Sequence, residues 1–599
     1  MPNLTGDLTG LLGELHKSLD AWVVPYSAVV VDGAQIRLGS ADLPVDLLDG
    51  TFTVDLPEGF YLLRVRYYDP AQEDRVVWES VIFELTADID FTDIIAAVPV
   101  LDPDITLAML NAVLAHGVLD DTAVAAAVNG ASTATRIALQ EEYAPGVNVR
   151  AHGAAPANTA NANTTAFNAA IDANAGGIVY VPAGTYQINA DHAGGKSILL
   201  DQPGTSLVLH PGAVLQAATN ALDRYSVVRI TAADCTVKGG TIKGDLLTHT
   251  GGTGEWGYCI EIMEAAHRTR IEDIRLMYGW GDGLVVADGT PSYTTGARPA
   301  DVQINNVVCD NNRRQGISVV AALRLQINGG SFINTGQTSF IAPGAGIAFE
   351  PNAGGLQKIT DAVVTGAVCS RNKGRGMYFH AQGCELTATV NGVRAFDNDA
   401  DGYGVDSSSE IIFNGCHAEN NGVTAGGSFD GFIIGVGATL PVTLNGCTAV
   451  GNTRMGFITS APDTQFAACN SYGNGWAGLA STGARTVFSA CRASGNNQVS
   501  SYYGNFALDA GGNDAHLVGC TSEAGQGATK AANGFHIFPT VTGAQLSGCT
   551  AKGAFTTAAF SDAGTGTIAL PKPGVAKQTG VAVSAAGIHA ALVNLGLIT

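Results

Sequence analysis

Eleven short apolar runs, each opened by a glycine, recur along residues 257–538 and restrict this chain's fold more than any other feature of its sequence. They read GYCIEI at Gly257, GLVVA at Gly283, GISVV at Gly316, GIAFE at Gly346, GMYFH at Gly376 and GYGVD at Gly402. They continue as GFIIG at Gly431, GFITS at Gly456, GLAST at Gly478, GNFAL at Gly504 and GFHIF at Gly534. Consecutive glycines stand 22 to 33 residues apart, about 28 on average. So short a period leaves no room for a helix of about ten residues, so the runs are expected to stack as strands of a parallel β-solenoid. Leucine-rich repeats share that length, but their Leu-x-x-Leu-x-Leu frame is missing.

A second marker keeps step with the first. Cys416, Cys447, Cys469, Cys491, Cys520 and Cys549 follow one another at 22 to 31 residues, and Cys309 and Cys369 are expected at the matching place upstream. Four of them are followed five residues on by Asn421, Asn452, Asn474 and Asn496. The cysteines read as a ladder of small buried side chains, and the asparagines as a ladder at a turn that tolerates left-handed geometry. Eleven cysteines without CxxC or a tight Cys/His cluster argue against a disulfide framework or a zinc site.

Composition agrees with a solenoid. The 599 residues include 76 glycines, and only 14% are charged, which excludes a coiled coil or charged helical array, while 46% apolar residues exclude disorder. A net charge of -22 argues against a nucleic-acid partner. No run of 18 or more apolar residues points to membrane insertion, and the first residues lack the basic and apolar regions of a signal peptide, so folding in a cytoplasm is expected.

Ahead of the repeats, residues 20–100 alternate apolar and polar positions (Phe52, Val54, Leu56; Leu63, Val65, Tyr67; Val81, Phe83, Leu85), as in a small antiparallel sandwich. Residues 101–145 are rich in helix formers and read as a helical neck where chains associate, or as a linker. The solenoid is assigned to 146–555 and a small C-terminal module to 556–599.

From Val147 the chain reads VNVRAHGAAPANTANANTTAFNAAIDANAGGIVYVPAGTYQIN. The order of HGA, a polar loop, TTAFNAAI, a GG-apolar run and VPAGTY resembles the opening motif of the pectate-lyase-like right-handed parallel β-helix superfamily. Asn163 is placed as N-cap of a short helix whose Ala166, Phe167, Ala170 and Ile171 plug the open end of the core. With the β-domain, the neck, DNNRRQGISVV and GIAFEPN, the whole resembles a bacteriophage tailspike or minor tail protein. That resemblance implies a homotrimer on the virion tail that binds, and often cleaves, host-surface polysaccharide. Residues 1–19 would then attach to other virion tail proteins. Where related sequences commonly read GIDFEPN, this chain has Ala348.

Stacking places residues of one solenoid position in columns about 4.8 Å apart. The first and third positions after each glycine are apolar (Ile347 and Phe349, Met377 and Phe379, Tyr403 and Val405) and are expected inside; the second and fourth are expected outside. Glu350, His380 and Asp406 then form one outward column, with Tyr378 beside it. The residues just before each glycine, Asp282, Gln315, Ala345, Arg375, Asp401 and Asp430, form another. Inverting glycoside hydrolysis needs two carboxyls about 6.5–9.5 Å apart. Glu350 as acid and Asp406 as base, two rungs apart, are compatible, with Asp282 as a replacement and His380 as tuner. Elimination from a uronate is the competing reaction: His380 or Tyr378 is the base, and Arg313, Arg314 or Arg375 the clamp. Gln315 and Asn352 complete the binding set, and Trp280, Tyr378, Tyr403 and Trp476 are candidate sugar platforms. No cofactor motif is visible; the one metal candidate is Ca2+ at DNDADG, Asp397 to Gly402. The rivals are a non-catalytic tail protein of the same fold and a free carbohydrate-active enzyme.

Overall fold

The computed structural model describes the strands between Asn3 and Asp90. From Gly146 to Leu570 it describes all residues except 192–196, 264, 289–296, 353–355, 408, 423–426, 498–502 and 526–530. The expected neck at 101–145 and residues 571–599 of the C-terminal module lie outside these. The chain divides into two units at Tyr143/Ala144.

In the first unit, Gly59–Asp69 pairs antiparallel with Asp20–Pro25, Asp74–Glu79 and Phe83–Leu85. This is the pairing that apolar alternation calls for. Asn3–Asp7 pairs antiparallel with Thr51–Asp55 and parallel with Ile89–Asp90.

The second unit is three parallel sheets of 17, 14 and 14 described strands, as expected of a right-handed parallel β-helix. Each rung contributes one strand to each sheet in turn, for example Lys358–Thr365, Val368–Ser370 and Met377–Phe379. The Gly-opened runs make the third sheet, in register Leu284↔Ile317↔Ile347↔Met377↔Tyr403↔Phe432↔Phe457. First and third positions are fully buried, as in Ile347, Phe349, Met377 and Phe379. Inside, equivalent aromatics stack rung on rung: Phe349 on Phe379 at 5.0 Å, Tyr403 on Phe432 at 4.4 Å, Phe432 on Phe457 at 4.8 Å. Glycine precedes each run because a Cβ at Gly376 would lie 2.7 Å from the Gly402 carbonyl oxygen and 3.0 Å from Asn398 Nδ2. Strands Ala558–Asp562 and Ile568–Leu570 continue the ladders beyond residue 555.

The asparagines form a buried ladder of side-chain amides. Asn372 Nδ2 donates to Asn398 Oδ1, Asn398 to Asn421, Asn421 to Asn452, Asn452 to Asn474 and Asn474 to Asn496, all at 2.8–2.9 Å. The left-handed residue is the one before each, as in Asn420, Gly451, Gly473 and Gly495, and not the ladder asparagine itself. That division follows from function: the turn needs the positive φ, and the next side chain is thereby aimed inward.

The cysteines are free and, Cys549 apart, buried. Along the later rungs each thiol donates to a first-sheet carbonyl, as Cys416 to Val390 at 3.3 Å and Cys469 to Leu444 at 3.3 Å. Cys309 and Cys369 are not in this ladder. They lie within second-sheet strands, in the column of Ala395 and Ala418, while Val393 precedes Cys416 in the thiol column.

The plug helix spans Ala160–Ala173 and buries Ala166, Phe167, Ala170 and Ile171 as expected, with Phe167 edge-on to Tyr186. Its N-cap is Thr159, which accepts from Ala162 N. Asn163 sits inside the first turn instead, where it accepts from Ala155 N and donates to the Gln187 carbonyl.

Candidate active cleft

The candidate catalytic residues belong to the outer face of the third sheet. Backbone bonds from Glu350 N to Val319 O, His380 N to Phe349 O and Asp406 N to Phe379 O put these three in one column, as the period predicts. The column is not one exposed groove. Ion pairs that bridge rungs divide it into two separate clusters.

The first cluster centres on Arg314. Its Nη1 lies 2.7 Å from Glu350 Oε1 and 3.4 Å from Asp282 Oδ2, and its Nε lies 3.5 Å from Glu255. The two carboxyl oxygens on one nitrogen are therefore no more than about 6 Å apart. Glu350 Oε1 also accepts from Gln315 Nε2 at 2.6 Å and from Ser318 Oγ at 3.1 Å. Both acids are buried, Glu350 at 8% exposure and Asp282 at 1%. Burial pushes the Asp282 carboxyl up to about 7 against the opposing pull of Arg314, and Glu350 adds to the rise. Asp282 Oδ1 is buried without a hydrogen-bond partner. Burial, reinforced by Asp282, also holds the Tyr258 phenol well above its usual range.

These groups line a cavity of about 380 Å³ that opens to solvent past Asp223 and Trp256, whose indole is 44% exposed. Glu261 faces the same cavity, fully buried, bound by Arg224 Nη2 at 2.7 Å and Ser226 Oγ at 2.6 Å. Half-buried Asn352 lines it too; its backbone N donates to Gln357 and its carbonyl accepts from Cys384. Alignment on Gly257 is two residues out and puts Glu261 in the outward fourth position, a place from which the sequence names no candidate in this run. Ile260, not Tyr258, pairs with Leu284, so Glu261 occupies the outward second position beside Val285 and Ser318. Arg224, in the rung before the first Gly-opened run, carries no glycine signal.

The second cluster centres on Arg375, whose guanidinium binds Asp401 at 2.9 Å and Asp406 at 2.9 Å and lies over the Tyr378 ring at 4.6 Å. A smaller cavity of about 170 Å³ adjoins Arg375, Tyr378, Asp401 and Phe429. His380 stacks on Tyr378 at 5.4 Å, and its Nδ1 is buried without a partner. Burial, with Asp406 reinforcing it, raises the Tyr378 phenol, which opposes service as a base. Asp406 is thus the partner of Arg375 and does not share the cleft with Glu350.

Several expected ligand contacts are internal. Trp280 is 9% exposed, stacks on His249 at 3.8 Å and carries the Arg313 guanidinium 3.6 Å above its ring. Arg313 donates to the Gly254 and Trp280 carbonyls, so it braces a loop and is no substrate clamp. Tyr403 is a core residue whose hydroxyl donates to the Val393 carbonyl. Trp476 is half-buried and stacks on Tyr503 at 5.6 Å. In DNDADG, Asn398 joins the amide ladder, Asp399 binds Lys373 and Asp401 binds Arg375. Two of its three acids are thus paired to separate cations, and among the described residues no group of acids gathers that could hold Ca2+.

No protein-family model matches the chain, and no curated protein does either. Solved structures are similar in outline at low identity. The Dettilon tailspike protein is 12% identical over 62% of this chain and 68% of its own, with a TM-score of 0.40. An α-1,3-glucanase catalytic unit from Streptomyces thermodiastaticus is 13% identical over 70% of each chain, with a TM-score of 0.39. The A-module of a mannuronan C-5 epimerase from Azotobacter vinelandii is 14% identical over 71% of this chain and 100% of its own, with a TM-score of 0.35.

Proposed function

We propose that this chain binds and cleaves a polysaccharide, and that the Arg314 cleft is a retaining glycoside hydrolase site. One observation carries the reading: a buried acid that titrates near neutrality, Asp282, lies within about 6 Å of Glu350 in a cleft with an exposed tryptophan at its mouth. Retaining enzymes hold their carboxyls about 5–5.5 Å apart, whereas inverting ones leave about 6.5–9.5 Å for water. Asp282 gives its proton to the leaving glycosidic oxygen while Glu350 Oε2 bonds to the anomeric carbon and the glycosidic bond breaks. Asp282, now a carboxylate, takes a proton from water, whose oxygen attacks the anomeric carbon and releases Glu350. Three donors fix Glu350 through Oε1, and Trp256 offers a ring on which a sugar face can stack. Glu261, held by Arg224 and Ser226, orients sugar hydroxyls. Uronate elimination is disfavoured because each candidate clamp is engaged, Arg375 by Asp401 and Asp406, Arg314 by Glu255, Asp282 and Glu350, and Arg313 by the Gly254 and Trp280 carbonyls. Of the candidate bases, the Tyr378 phenol is raised by burial, and His380 stacks on it in the second cluster, away from the Arg314 cleft.

The wider biological setting follows from the sequence resemblance. The protein acts as a homotrimeric tailspike on a virion tail, its N-terminal region bound to other tail proteins and its solenoid to host surface polysaccharide. Incubation with surface polysaccharide from a panel of bacterial hosts tests the catalytic reading: new reducing ends appear, and the first-formed product keeps the anomeric configuration of the substrate. Binding without product assigns the chain to the non-catalytic tail proteins. Light scattering tests the trimer, and a monomer would remove the tailspike setting.

A further inference from the structure

The charge of the cleft restricts what it can hold. Five acids line it, Asp223, Glu261, Asp282, Asp288 and Glu350, against two arginines, Arg224 and Arg314. Neither arginine is spare: Arg224 binds Glu261, and Arg314 is shared by Glu255, Asp282 and Glu350. The cations beside the cleft and in the neighbouring rungs are taken as well, Arg229 by Glu261, Arg313 by the Gly254 and Trp280 carbonyls, Lys373 by Asp399, Arg375 by Asp401 and Asp406, and Arg454 by Asp430. An incoming carboxylate or sulfate would meet surplus negative charge and displace an existing ion pair to find a cation. The buried Asp282 Oδ1 has no partner of its own, and a sugar hydroxyl, which can donate or accept, answers it whether or not the acid holds its proton. An ammonium answers the surplus negative charge.

We infer that the cleft takes a glycan whose bound residues are uncharged or carry a free amine, and that it rejects uronate and sulfated glycans. This rests on the Arg314 cleft being the glycan site. It narrows that reading, because the cleft geometry alone leaves every hexose open. Discrimination comes from unpaired charge and not from shape, so a single exposed acid at the rim should shift it. Asp223 is that residue: it is exposed, and its carboxylate accepts from Thr253 Oγ1 at 2.7 Å.

The test uses the full chain on an immobilised panel of bacterial surface polysaccharides of known composition, divided into neutral, free-amine, uronate and sulfated classes. Binding is scored to the cleft when Trp256→Ala weakens it at least tenfold. Cleft-dependent binders are expected among the neutral and free-amine classes only, with N-acetylation of a free-amine binder weakening it or leaving it unchanged. Asp223→Arg is expected to raise uronate binding at least tenfold, most at low salt, while circular dichroism stays that of wild type. A cleft-dependent uronate or sulfated binder of equal or higher affinity overturns the inference and leaves the glycan site standing. Unchanged class preference in Asp223→Arg also overturns it. A panel with no cleft-dependent binder overturns the glycan reading and this inference together.

Discussion

Replacement of Asp282 by asparagine separates the two consequences of burying an acid beside an arginine. Folding carries this carboxyl from 3.8 to about 7. Between those values the folded chain keeps a proton that the unfolded chain has lost. Stability therefore falls as pH rises through that window and levels off above it. Three pKa units at 1.36 kcal/mol each give a loss of about 4 kcal/mol. The attraction to Arg314 is already contained in that figure, since it acts on the ionised form alone. Asparagine mimics the protonated acid at every pH, so Asp282→Asn removes the slope. Guanidinium denaturation of both proteins from pH 4 to pH 8.5 reads the difference, with unfolding rates at fixed denaturant as the measure where refolding is incomplete. A constant offset from the unpaired amide donor cancels; what counts is that the variant gains about 4 kcal/mol on wild type between the two ends of the range. Groups not coupled to Asp282 act alike in both proteins, and the coupled Tyr258 phenol and Arg314 guanidinium do not titrate in this range. Parallel curves would refute the buried acid. On the same samples wild-type cleavage should decline above pH 7 as the acid loses its proton, and the variant should make no product at any pH.

Glu350→Gln should abolish reducing-end formation and keep glycan binding within a few fold, by isothermal titration with a substrate oligosaccharide; a cleaving variant places the nucleophile elsewhere. Asn452→Ala strands the backbone N and the Nδ2 of Asn421, and at about 1–3 kcal/mol for each unpaired donor should cost about 2–6 kcal/mol in denaturant titration. Phe432→Ala removes a ring stacked on both Tyr403 and Phe457 and should cost about 3–5 kcal/mol by the same assay. A thiol reagent should label at most one of the eleven cysteines in the native protein, Cys549, and all of them after denaturation.

The repeat made the solenoid legible, because a strand that must close a rung every 28 residues or so has few places to put its apolar side chains. Ile347, Phe349, Met377 and Phe379 point inward for that reason, and Glu350, His380 and Asp406 share a column. What the pattern hides is pairing between rungs. Arg314 meets Glu350 across 36 residues and Arg375 meets Asp406 across 31, and nothing local in either segment announces the partner. Those pairs divide an apparently continuous polar face into two clusters. Glu261 faces outward in either register, fourth when counted from Gly257 and second as paired, and its pairing with Val285 and Ser318 is what places it at the Arg314 cleft. Aromatic platforms misled in a different way: Trp280 and Tyr403 are large enough to be useful to the core, and the aromatic exposed at the mouth of the Arg314 cleft is Trp256.

The asparagine ladder has a direction. Each Nδ2 donates forward, from an earlier rung to the Oδ1 of the next, and each backbone N of the ladder does the same, as from Asn421 to Asn452 and from Asn452 to Asn474. A chain emerging from the ribosome therefore always ends its folded portion on an asparagine whose donors await an acceptor that has yet to be synthesised. The next rung supplies it and inherits the same need. Growth from the N-terminal plug toward the C-terminus thus closes two of these bonds with each rung added and carries unpaired donors at its advancing end, where growth in the other direction would carry an unpaired Oδ1. The ladder stops at Asn505, whose Nδ2 turns to Ser522 Oγ and the Glu523 carbonyl, so the polarity ends on groups of the following rung that pass no demand further along.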